Sequence, residues 1–176
     1  YCSSLTQITI PSSVTSIGVN PFKGCSHLEQ IVVDSSNKKF SFIDGVLFNK
    51  DTQSIICCLR NKKGTYDIPS SVASIGSNAF SYCSSLTQIT IPSSVTSIGV
   101  NPFKGCSHLE QIVVDSSNKK FSFIDGVLFN KDTQSIICCL RNKKGTYDIP
   151  SSVASIGSNA FSYCSSLTQI TIPSSV

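Results

Sequence analysis

The 176 residues contain no methionine and no tryptophan, only two histidines, and few charges: Asp, Glu, Lys and Arg together make up 14%. No apolar run approaches the roughly 18 residues of a membrane-spanning helix, so direct membrane insertion is not expected of this stretch. No secretory leader or anchor is visible in it either. The sequence has no Gly-rich phosphate loop, no Gly-x-Ser-x-Gly elbow and no Cys-x-x-Cys pair, and its acidic residues lack calcium-loop spacing. A net charge of +4 falls short of the concentrated basic signature of nucleic-acid binding. These absences remove the usual sequence grounds for phosphoryl transfer, serine hydrolysis, thiol redox chemistry and metal binding. Neither enzyme activity nor a cofactor or metal is expected, and no nucleic-acid partner. Helical periodicity is nearly absent as well.

What the chain does have is repetition. Residues 1–81 and 82–162 are identical throughout, and 163–176 begin a third copy. The chain therefore reads as one piece, 1–176, of a longer array, and not as an ordinary globular domain. A finer repeat lies inside the long one. Cys2-Ser3-Ser4-Leu5-Thr6-Gln7-Ile8-Thr9-Ile10 aligns with Cys25-Ser26-His27-Leu28-Glu29-Gln30-Ile31-Val32-Val33, and Tyr66-Asp67-Ile68-Pro69 with Ile89-Thr90-Ile91-Pro92. Each alignment has an offset of 23. Leu-x-x-Ile-x-Ile predicts a short strand whose last residues alternate in and out, ended by a proline that cannot donate to a ladder. One such coil cannot bury its apolar side alone. Stacked on its neighbours it can, with Ile8 over Ile31, Ile10 over Val33 and Phe80 over Phe103, and with Ile8, Ile31 and Ile89 sharing one interior column.

Between Val33 and Ile68 the spacing lengthens by about twelve residues. Phe40–Ile43 and Val46–Asn49 flank Asp44-Gly45, a strong hairpin signal. Ser54–Arg60 reads as a further strand. A β-hairpin or three-stranded meander is thus expected to bulge from the stack at 40–60 and again at 121–141.

The run IPSSVASIGSNAFSYCSSLTQITIPSSV, with IPSSVTSIGVNPFKGCSHLEQIVV, resembles the BspA-like leucine-rich repeats of the Treponema pallidum type. NKKFSFIDGVLFNKDTQSIICCL resembles the insertion found in many members. Pro21 and Pro102 depart from the pattern, which usually has Ala before Phe. The resemblance implies a leucine-rich-repeat solenoid, a right-handed superhelix of mostly short parallel β-strands with little helix. It also implies a place on the cell surface and a role in adhesion or antigenicity, with host or microbial surface or matrix proteins as partners. The verbatim 81-residue duplication admits another reading, a structural or antigenic spacer or an engineered scaffold without a dedicated ligand.

If Ile8 and Ile10 point inward, stacking places Gln7, Gln30, Gln88, Gln111 and Gln169 in one outward row. Thr9, Val32, Asp67, Thr90, Val113, Asp148 and Thr171 form a second row beside it. These rows are the candidate protein-binding face, or else an ordinary solvated sheet surface. Lys38, Lys39, Lys50, Arg60, Lys62 and Lys63 cluster in or beside the insertion. They form either a basic ridge for anionic glycans or acidic partners, or a charged guard against edge-to-edge pairing. His27 and His108 occupy equivalent places three rungs apart, too far to share a site, and read as surface turn residues. Five of the nine cysteines recur three residues before a leucine and read as free, buried thiols. Cys57–Cys58 and Cys138–Cys139 should each send one side chain inward and one outward. Uncapped terminal rungs would favour end-to-end self-association.

Overall fold

The computed structural model describes residues 2–176, which form sixteen strands and no helix. Seven of the strands stand in one row, one per coil: Gln7–Ile10, Gln30–Val33, Lys63–Asp67, Ser85–Ile91, Gln111–Val114, Gly145–Asp148 and Leu167–Thr171. They define coils 1 to 7 and the first face of the stack. Where neighbouring coils pair, they do so in parallel at the expected register, with Ile8 opposite Ile31, Ile10 opposite Val33, and Tyr66, Ile89 and Ile112 side by side.

The spacing Leu-x-x-Ile poses a difficulty for a strand, since residues three apart should face opposite sides. Yet Leu86 and Ile89 are both fully buried. The register resolves this: Gly64 pairs with Leu86, and the next residue, Thr65, pairs with Gln88. Thr87 is an extra residue, a bulge that returns Ile89 to the interior. The same shift recurs where Gly145 pairs with Leu167 and Thr146 with Gln169.

A second face is built from short strands and from the insertion. The meander forms where the sequence places it: Phe40–Ile43 pairs antiparallel with Val46–Asn49, and Val46–Asn49 with Ser54–Cys58. Asp44 and Gly45 take positive φ (51° and 80°), as a two-residue hairpin turn requires. The meander does not bulge from the stack, however. Its third strand lies parallel to Ser74–Ile75 of coil 3, which pairs in turn with Ser97–Ile98 of coil 4. Ile55, Ile75 and Ile98 thus form a column of their own, and burying that column is what holds the insertion flat against the stack. The second copy repeats the arrangement with Phe121–Ile124, Val127–Asn130, Ser135–Cys139 and Ser155–Ile156.

The insertion has a geometric consequence. Three strands of coil 2 occupy the second face where the first face has only Gln30–Val33. At about 4.8 Å per strand, the second face gains roughly 10 Å on the first at each insertion. The first face opens to match. No ladder joins Gln30–Val33 to Lys63–Asp67, or Gln111–Val114 to Gly145–Asp148, so its seven strands fall into groups of two, three and two. The second face breaks elsewhere, between Ser97–Ile98 and Phe121–Ile124, where the first face is continuous. The breaks are staggered like the joints of brickwork.

The expected column of Ile8, Ile31 and Ile89 is accordingly interrupted. Ile8 and Ile31 pack in one apolar cluster with Phe40 and Leu47, while Ile89 belongs to a central cluster with Phe80, Phe103 and Ile112. Within the central cluster the aromatic column is intact, with Tyr66 to Phe80 at 5.9 Å and Phe80 to Phe103 at 5.6 Å between ring centroids. Asn37 ties the insertion to coil 1. It is 2% exposed, donates to the carbonyls of Pro11 (2.8 Å) and Val14 (3.2 Å), and accepts from the backbone N–H groups of Lys39 and Phe40. Asn118 repeats the arrangement in the second copy.

Candidate interaction surface

Alternation along each strand places one set of side chains outward from the first face. The outward Gln row forms, but in segments: Gln7 beside Gln30, Gln88 beside Gln111, and Gln169 apart from both. Thr65 and Thr146 extend it, pairing with Gln88 and Gln169. Neither threonine stands at a Leu-x-x-Ile strand, because Lys63-Gly64-Thr65 replaces Leu-Thr-Gln there, but the 23-residue offset that aligns Tyr66 with Ile89 also sets Thr65 against Gln88. The second row is likewise segmented: Thr9 with Val32, then Asp67 with Thr90 and Val113, then Asp148 with Thr171. Gln7, Gln30, Gln111, Gln169, Thr9, Asp67, Asp148 and Thr171 are exposed, and Gln88, Thr90, Val32 and Val113 are half-buried. The longest unbroken patch is therefore the central one, three strands wide.

The six basic residues beside the insertion do not form a free ridge. Lys39 pairs with Asp51 at 2.6 Å, and Lys62 pairs with Asp44 while its ammonium sits 4.8 Å from the centre of the Tyr66 ring. Lys50 donates to the carbonyl of Asn37, and Arg60 stacks on Tyr82 at 4.8 Å. Lys38 and Lys63 remain exposed and without an ion pair among the described residues. Carboxylates thus neutralise two of the six, Lys39 and Lys62, while a carbonyl and a ring hold Lys50 and Arg60 in place, an arrangement that also suits lysines guarding strand edges.

His27 and His108 are exposed, and the Nδ1 of each lies 2.6 Å from a carbonyl of the preceding coil, Ser3 or Ser84. All nine cysteines are free. Cys83, Cys106 and Cys164 are buried as expected, whereas Cys25 is half-buried and Cys2 is exposed. Of the adjacent pairs, Cys58 and Cys139 are buried and Cys57 and Cys138 half-buried. Neither member of a pair points fully outward, and burial pushes the thiols of Cys57 and Cys138 up to about 12. Among the described residues no three His, Cys, Asp or Glu side chains are placed to hold a metal ion.

Comparison with known proteins gives this geometry a family. A model of the BspA type leucine rich repeat region matches residues 1–134 and 137–176. No curated protein matches the sequence. Among solved structures, a leucine rich cell surface protein from Faecalibacterium prausnitzii is 30% identical, with a TM-score of 0.72 over 95% of this chain and 48% of its own. A leucine-rich repeat protein from Eubacterium ventriosum is 25% identical, with a TM-score of 0.64 over 97% of this chain and 49% of its own. The pneumococcal vaccine antigen PcpA, 21% identical with a TM-score of 0.53, shares the fold. The chain spans about half the length of these structures. With its stacked parallel coils and its repeat pattern matched nearly end to end, the chain belongs to the BspA-type leucine-rich repeat family.

Proposed function

We propose that this chain is a non-enzymatic protein-interaction module of a cell-surface protein, adhering to host or microbial surface or matrix proteins through the outward side of the first face. The observation that carries the reading is the central patch of that face. There Thr65, Gln88 and Gln111 stand in one row and Asp67, Thr90 and Val113 in the next, on three strands in continuous register. A rigid, solvent-facing array of this kind offers hydrogen-bonding groups at fixed spacing, the common binding device of solenoids. The description of the Faecalibacterium relative as a cell surface protein supports the location. Replacing Gln88 and Gln111 by Glu or Lys should reduce adhesion of the purified chain to cells or matrix protein about tenfold, by setting unpaired charge in the interface. Unchanged adhesion excludes this face.

The identity of the two 81-residue copies favours a second reading, a spacer or antigenic coat, because nothing in the sequence distinguishes one copy's surface from the other's. Surface-immobilised chain that captures no protein from serum or matrix extract above background supports the spacer.

A further inference from the structure

One edge of the stack carries a notch that the strand face does not use. In an uninterrupted coil the chain returns from the second face to the first in fourteen residues, as from Ile75 to Ile89, through a corner at Asn78–Tyr82. The corners of coils 3 and 4 pair through their backbones, Phe80 N–H to Pro102 and Tyr82 N–H to Lys104. Coil 2 returns in eleven residues, from Ile55 to Tyr66, and has no Asn-x-Phe corner. A cavity of about 280 Å³ is left between the corner of coil 1 (Asn20–Lys23) and that of coil 3, floored by Cys57–Arg60. Coil 5 lacks its corner in the same way. There the walls close until Asn159 Nδ2 donates to Asn101 Oδ1 at 3.0 Å, leaving about 40 Å³.

The open notch is lined by Lys23, Arg60 and Lys104 and by no acidic residue. None of the three cations forms an ion pair among the described residues. Arg60 is held without a carboxylate: its guanidinium lies over the Tyr82 ring, and that ring is packed so closely by Gly105 that a Cβ there would sit 2.6 Å from it. The guanidinium is fixed in place with its N–H donors unspent, a geometry suited to bidentate capture of an oxyanion. Asn20 and Asn78 add side-chain amides to the walls.

We propose that the notch binds the sulfate groups of an acidic polysaccharide. Two features favour a polysaccharide over an acidic protein. The open notch holds only about 280 Å³ between its two walls, so it admits a single extended chain, not a folded surface. The Arg-on-Tyr pair also recurs 81 residues on, with Arg141 5.4 Å from the centre of the Tyr163 ring, roughly 14–24 Å along the same edge for three to five strand widths. A linear polymer with regularly spaced charge bridges the open notch and this second guanidinium and gains from their effective concentration. The site is separate from the outward Gln and Thr rows, so it stands or falls apart from the protein-binding reading.

Titration calorimetry tests it, with three probes: a heparin-derived octasaccharide, the same saccharide desulfated, and polyglutamate of similar length. The sulfated probe should bind, and its affinity should fall with added salt. The double variant Arg60→Gln, Arg141→Gln should weaken binding about tenfold, since each loses a charge-assisted donor pair. Lys23→Gln, at an exposed position whose loss leaves the core intact, should weaken it about threefold. Gln88→Glu with Gln111→Glu, on the strand face, should leave notch binding within about twofold, because that charge is largely screened at this range. Equal binding of the desulfated probe, unchanged affinity in the Arg and Lys variants, preference for polyglutamate, or no binding at all would each overturn the proposal.

Discussion

Asn37 and Asn118 illustrate how much a single polar side chain holds here. Each is buried and makes four hydrogen bonds that join an insertion to the coil before it. Asn37→Ala would strand two carbonyls and two N–H groups, and should cost about 2–3 kcal/mol in urea denaturation. Asp34 and Asp115 act at the same junction. The Ser36 hydroxyl, and then the Ser36 backbone N–H, hold the Asp34 carboxyl below its ordinary range, as Ser117 does for Asp115. A lowered folded-state pKa stabilises the fold above the ordinary carboxylate value, and that contribution is lost as pH falls through the lowered value. The melting temperature should therefore drop on acidification below the ordinary carboxylate range, and less so in an Asp34→Asn, Asp115→Asn variant. Among the thiols, Cys2 is exposed, whereas burial raises those of Cys57, Cys106 and Cys138. Labelling of the native protein with a maleimide should modify Cys2 first and reach the buried thiols only on unfolding.

The two 81-residue copies are identical in sequence yet not in surroundings, and glycine shows the difference. Gly18 and Gly99 are equivalent residues of the two copies. A Cβ on Gly18 would meet nothing, whereas one on Gly99 would fall 2.4 Å from the backbone nitrogen of Ser77 in the neighbouring coil. Gly18→Ala should be nearly neutral, and Gly99→Ala should destabilise by about 1–3 kcal/mol in the same denaturation experiment. The strands themselves were legible in the sequence. Leu-x-x-Ile-x-Ile marks the first face, Ile-Pro its end and Asp44-Gly45 the hairpin, because each rests on local chemistry. The place of the meander was not legible in that way, since pairing between Ser54–Cys58 and Ser74–Ile75 is a non-local choice. A signal was present: Ser-Ile recurs at Ser54-Ile55, Ser74-Ile75 and Ser97-Ile98, and it is these residues that stack.

Across the stack as a whole, the repeat period established the kind of fold and most of the outward row, while the interruptions came from mismatched strand numbers on the two faces. Thr65 and Thr146 join the row by the same 23-residue offset, although their strands lack the Leu-x-x-Ile signature that marks the others. Two of the six basic residues are neutralised by non-local pairing, because Asp44 and Asp51 reach Lys62 and Lys39 only once the meander is folded. The notch at Arg60 is a shortfall of three residues in one return segment, visible only when Ile55–Tyr66 is set against Ile75–Ile89. Coils that stack in register on the first face and part at each insertion underlie both the outward rows and the notch. Paired spin labels report this directly, with Cys2→Ser to silence the exposed native thiol. Labels introduced through Gln88→Cys and Gln111→Cys, on paired strands about 5 Å apart, should broaden each other's spectra strongly. Labels introduced through Gln30→Cys and Thr65→Cys, on strands about 14 Å apart across the opening, should broaden them weakly. Equal broadening in the two pairs would mean an unbroken first face, and would contradict both the segmented stack and the notch built from it.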